Sequence, residues 1–184
     1  MRLQGWALDV ARCVALPESF HYDARRLILV SPFMKPTRAQ DILLATAIAL
    51  PLPIIVMWHG DPLYLGLWYY FVVPAVALSI SFALRSSPLF LTGVSLAIVA
   101  TLLTYMSINW RAARPEGLLG LGHLFSLPGL VIGLIVGAHL SKSTNRPVIA
   151  LLLGLLAALA GFLFNQLMVC NTVMWCGPLS IVRG

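Results

Sequence analysis

Five long uncharged runs recur along this chain, at residues 42–58, 63–84, 88–110, 118–140 and 147–170. An α-helix rises about 1.5 Å per residue, so roughly 20 apolar residues match a hydrocarbon core about 30 Å thick. Within lipid every backbone N–H and C=O needs an internal partner, which a helix supplies segment by segment. The pattern therefore predicts an all-α, polytopic transmembrane helical bundle of about five spans. The first run is the shortest and contains Pro51 and Pro53, so a kink or irregularity is expected there.

Composition closes the alternative of a water-soluble globule. Of 184 residues, 60% are hydrophobic and 10% are charged, against about 25% charged in an ordinary soluble domain. The polar coat is missing, so lipid must form the outside. The net charge of +6 is not laid out for nucleic acid. Basic residues lie ahead of and between the apolar runs, where they meet anionic headgroups, and no Arg-rich face interleaves with aromatics.

Three regions follow: a segment at 1–40, a transmembrane bundle at 41–170 and a short tail at 171–184. The links between runs are only a few residues long, which makes consecutive helices antiparallel neighbours. Lys and Arg set orientation. An N-terminus inside places Arg2, Arg12, Arg25, Arg26, Lys35, Arg38, Arg85, Lys142 and Arg146 in the cytoplasm and Arg111, Arg114 and Arg183 outside. Trp58, Tyr64, Trp68, Tyr105, Trp110 and Trp175 then fall at or beyond outer helix ends, where interfacial aromatics collect. The tail is accordingly extracytoplasmic. Compactness and short loops point to a bacterial inner membrane. The first 26 residues carry charges throughout and hold no apolar core of a signal peptide, so the first span is expected to act as the targeting signal.

In the N-terminal segment, Leu3, Trp6, Ala7, Val10, Cys13 and Val14 share one face at 100° per residue, and Pro17 ends the pattern. This reads as an amphipathic helix, lying either at the membrane interface or against the inner ends of the bundle. The apolar octet 27–34 is too short to span.

Candidate chemistry is sparse. Cys170 and Cys176 flank five residues on the outer side, where an oxidising compartment favours a structural disulfide. Their spacing fits neither a redox nor a zinc motif. The histidines at 21, 59, 123 and 139 do not cluster, and no metal or cofactor is expected. His123 and Ser126 are neighbours on one helix, yet no oxyanion hole accompanies them. A serine there is expected to bond backbone freed by Pro128. No span carries Asp, Glu, Lys or Arg in its middle, which removes a carboxylate dyad and a buried acid for ion coupling. No catalytic residue is assigned.

Packing chemistry is better defined. Gly129, Gly133 and Gly137 repeat every four residues, giving a bare helix face that a neighbour can approach closely. The next span offers Gly154 with Ala158 and Ala157 with Gly161, so an intrachain hairpin is the plain reading. A second copy or another membrane protein is the alternative occupant.

The leading expectation is a non-enzymatic membrane protein that acts through helix–helix contacts, as a subunit or accessory factor of an inner-membrane assembly or as an immunity-type protein. The rival is a small carrier or channel for an uncharged or weakly polar solute, with Thr92, Ser95, Thr101, Thr104, Ser107 and Asn109 lining the path. A third reading gathers His59, Asp61, Arg111, Arg114, Glu116 and His123 into an outer-interface cluster acting on lipid or quinone. The expected partners are the bilayer and another membrane protein or a second copy.

Overall fold

The computed structural model describes residues 36–112 and 117–172. The expected amphipathic N-terminal helix, the octet 27–34, Arg114, Glu116, Cys176 and nearly all of the tail lie outside the described residues. Among the described residues the secondary structure is entirely helical: α1 Arg38–Ala49, α2 Pro51–His59, α3 Leu67–Ala83, α4 Phe90–Arg111, α5 Leu118–Ser141 and α6 Pro147–Thr172. Four stretches are long and apolar enough to cross a membrane, with α1 and α2 counting together as one crossing of 22 residues, and α3 is a shorter apolar helix.

The first span starts at Arg38, four residues ahead of its uncharged run. Thr37 and Gln40 form a reciprocal capping box: the Thr37 hydroxyl accepts from the Gln40 amide at 3.3 Å, and the Gln40 side chain accepts from the Thr37 amide at 2.9 Å. That local polar signal outweighs the charges of Arg38 and Asp41 as a boundary. Pro51 then interrupts the ladder, because it has no N–H and its ring crowds the preceding turn. Leu50 nevertheless stays right-handed helical and donates to the Thr46 carbonyl at 2.9 Å. The chain is divided into two helices without reversing.

The second uncharged run nevertheless gives the shorter helical stretch, 17 residues in α3 against 22 in α1 with α2. That run begins at residue 63, but α3 begins only at Leu67. Residues 60–66 form a loop because Asp61 accepts from the amides of Leu63 at 3.0 Å and Gly66 at 2.6 Å, competing with helix formation. Gly66 has φ +85°, a conformation that closes the loop and that a side chain would strain.

Helix α4 is the hub. It packs against α6, α1, α3 and α5, and 61% of its apolar stretch is buried, against 22% in α6. Phe90, Val94, Ala97, Ile98, Leu102 and Met106 form the centre of the core. Antiparallel neighbours in sequence do pack, most extensively α5 with α6, but α1 and α6 both also pack on α4.

The α5–α6 contact is made by missing side chains. A Cβ on Gly133 would stand 2.1 Å from the Ala157 carbonyl oxygen, one on Gly129 would stand 2.3 Å from the Asn165 Cβ, and one on Gly161 would stand 2.2 Å from the Gly129 oxygen. A Cβ on Gly137 would lie 2.7 Å from that of Ala157. Gly154 faces elsewhere: its nearest neighbour is the Phe90 carbonyl of α4, at 2.4 Å from an added Cβ. Gly93 reciprocates, facing the Leu151 carbonyl at 2.1 Å. Ala158 is fully buried in the core. Residues 154–161 therefore serve two neighbours, with Ala157 and Gly161 turned to α5 and Gly154 to α4.

Candidate functional site

The polar interior is divided between the two ends of the bundle. At the end where α1 starts, Asp41 is buried, 1% exposed, and it accepts from Leu91 N at 3.3 Å, Thr92 N at 2.9 Å and the Thr92 hydroxyl at 2.7 Å. Leu89, at the N-cap of α4, contributes no side-chain cap. The first amides of a helix lack internal acceptors, and Asp41 supplies one from a different helix. Ser95 continues the seam, donating to the Ala45 carbonyl at 2.6 Å.

Toward the other end, α5 places His123 in the core, fully buried. Tyr69 of α3 lies 2.7 Å from its Nδ1, and Thr101 of α4 lies 3.4 Å from its Nε2. The Thr101 hydroxyl donates its one hydrogen to the Ile98 carbonyl at 2.9 Å, so toward the histidine it accepts. Nε2 therefore carries the proton, Nδ1 accepts, and the Tyr69 hydroxyl donates. Around the ring, Tyr105 meets His123 edge-on at 5.0 Å and Phe162 lies at 5.0 Å from it. Three helices thus converge on the imidazole, and α6 covers it.

One turn along α5, the Ser126 hydroxyl bonds the Gly122 carbonyl at 2.8 Å and meets the Gln166 side-chain oxygen of α6. Gln166 in turn donates to the Cys170 sulfur at 2.8 Å. The serine does not use the backbone freed by Pro128, which is the Leu124 carbonyl, one turn before the proline. It bonds the Gly122 carbonyl instead. Both ring nitrogens of His123 are engaged by Tyr69 and Thr101, and Ser126 is engaged elsewhere, so the two do not form a nucleophile–base pair. Among the described residues, the Tyr105 hydroxyl is the one buried side-chain polar atom without a hydrogen-bond partner.

Of the six residues expected at an outer-interface cluster, His59, Asp61, Arg111 and His123 are among the described residues. His59 is exposed and meets Trp110 edge-on at 5.9 Å. Asp61 holds its loop and accepts from the Tyr70 hydroxyl at 2.6 Å. Arg111 is exposed at the end of α4, whereas His123 is buried among aromatic rings. Arg114 and Glu116 lie outside the described residues. Among the described residues, no three His, Cys, Asp or Glu side chains converge as metal ligands.

The polar side chains of α4 are spent on protein groups. Thr92 and Ser95 join α1, Thr101 bonds its own helix and His123, Thr104 and Ser107 bond carbonyls one turn back, and Asn109 bonds the Pro62 carbonyl. Sequence reasoning named these residues but not their partners, and it left Tyr69 unnamed. The signal available for Tyr69 was its adjacency to Tyr70 in an apolar helix, where a buried phenol needs a partner.

These features define the class: a multi-pass helical membrane protein whose polar interior is hydrogen-bonded across helices. Comparison with known protein families, with curated proteins and with solved structures gives no match.

Proposed function

We propose that this chain is a non-enzymatic membrane protein that acts through its outward helix faces, as a subunit or accessory factor of an inner-membrane assembly or as an immunity-type protein. The observation that supports this reading is that, among the described residues, the buried side-chain polar groups other than the Tyr105 hydroxyl are engaged by other groups of the chain. The glycine face of α5 is likewise occupied by α6, so it is not the docking face. Contacts with a partner fall instead to the least covered helices, α6 and the α1–α2 span, where 22% and 28% of the apolar stretch is buried.

The excess of basic residues in the N-terminal segment and in the 84–89 and 142–146 links supports an orientation with the N-terminus in the cytoplasm and the tail outside. There Cys170 and Cys176 form a disulfide that staples the end of α6 to the tail.

A photocrosslinking residue at Leu156 or Met57, both exposed apolar positions, tests the reading in native membranes. Discrete protein adducts at one of these positions, absent with the residue at buried Ile98, are expected. Lipid adducts alone at every outward position, with solute uptake by vesicles holding only this chain, would replace it with the carrier reading.

A further inference from the structure

A cleft of about 250 Å³ opens at the α1-start end, lined by Pro36, Ser87, Pro88, Lys142, Thr144, Asn145, Arg146 and Pro147. Its floor is fixed. The Ser87 hydroxyl donates to the Ser141 carbonyl at 2.6 Å and the Ser87 amide donates to the Ser141 hydroxyl at 3.3 Å, tying the 84–89 link to the end of α5. Lys142 and Arg146 stand at its rim, both exposed. Among the described residues neither is in an ion pair, and the one acid described at this end, Asp41, is buried and committed to the start of α4. Arg38, which donates to the Ser86 carbonyl at 3.3 Å, and Arg85 add two more positive charges to the same end.

Depth matters as much as charge. Helices α5 and α6 hold 24 and 26 residues, about 36 and 39 Å at 1.5 Å per residue, which exceeds a hydrocarbon core of about 30 Å. The link between them, and with it the cleft, lies at headgroup level. The lining is chemically apt for a phosphate: an ammonium as point charge, a guanidinium that binds two oxygens at once, and the Asn145 amide and Thr144 hydroxyl as neutral donors. We propose that this cleft binds the phosphate of an anionic phospholipid, with Lys142 and Arg146 as its charged contacts.

The test uses the full chain in detergent, titrated with short-chain phosphatidylglycerol, short-chain phosphatidylcholine or inorganic phosphate, and bound lipid read by native mass spectrometry. Phosphatidylglycerol is expected to bind in preference to phosphatidylcholine. Each basic residue near anionic lipid strengthens attraction about fivefold, so the K142Q/R146Q variant is expected to lose about 30-fold in phosphatidylglycerol affinity. K142R/R146K should retain it, and R111Q, at the opposite end, should leave it unchanged. Equal binding by wild type and K142Q/R146Q, with both folded by thermal melting, would overturn the proposal. Binding of inorganic phosphate without the lipid would assign the cleft to a soluble anion and overturn the lipid assignment.

Discussion

The Asp41 carboxylate caps a helix that begins far beyond its own: one of its oxygens lies 2.9 Å from the amide of Thr92 and 2.7 Å from the hydroxyl of the same residue, 51 positions along the chain. A charged cap of this kind satisfies the orphan amides of α4 and places negative charge at the positive end of its dipole. It also locks the rotation of α1 about its axis, since only one face of α1 carries an acid.

Removing that cap strands buried donors. Asp41→Ala is expected to lower stability by about 2–4 kcal/mol, because two amides and a hydroxyl lose their acceptor. Asp41→Asn keeps one acceptor oxygen and should cost less. Denaturation in mild detergent reads both. A double-mutant cycle with Thr92→Val should show coupling of about 0.5–3 kcal/mol. Strict additivity would mean that the two side chains do not interact.

Close approach of α5 and α6 makes a methyl group costly. Gly133→Ala places a Cβ 2.1 Å from the Ala157 carbonyl, so the helices must separate, at about 1–3 kcal/mol. Gly117→Ala is the control: its Cβ would sit 3.9 Å from Tyr64, and its φ of −65° suits any residue. A stability change within about 0.5 kcal/mol is expected there. Equal effects at both positions would argue that α5 and α6 are not in this register.

Tyr69 and His123 form a buried pair whose loss should be asymmetric. Tyr69→Phe leaves Nδ1 of His123 without its donor, for about 1–3 kcal/mol, whereas Tyr69→Phe with His123→Phe removes both polar groups and should recover part of that cost. Melting temperatures of the two single variants and the double variant decide it. A double variant that costs the sum of the singles would separate the two residues.

The proposed Cys170–Cys176 bridge gives a count of reactive thiols. The chain holds three cysteines. Denatured protein prepared without reductant should take up maleimide at Cys13 alone and at all three after reduction. Three labelled thiols before reduction would dismiss the bridge. If formed, it stabilises by about 2 kcal/mol on the chain-entropy account, and Cys170→Ser should lose that amount.

How much was legible from residues alone differs by feature. The ends of α5 and α6 at Leu118 and Pro147 coincide with the starts of their uncharged runs. The starts of α1 and α3 do not, since Thr37 with Gln40 and Asp61 with Gly66 settle them by hydrogen bonds that a hydropathy pattern does not contain. The glycine repeat in α5 was visible, while the division of Gly154 from Ala157 and Gly161 between two neighbours was not. His123 was legible as a polar residue in a span, but its burial beneath Tyr69, Tyr105 and Phe162 was not.

What the amino-acid order determined by itself is a helical membrane bundle and the approximate placement of its apolar helices. Apolar length and backbone satisfaction are summed along a single segment and need no knowledge of its neighbours. Tertiary structure alone decided which faces meet: Asp41 with Thr92, Gly133 with Ala157, Gly154 with Phe90 and Tyr69 with His123. Those pairings depend on the rotation and register of each helix against the others. The exposed large side chains of the described helices are mostly apolar, so rotation and register are settled by the few positions where a side chain is absent or a polar group must find its partner.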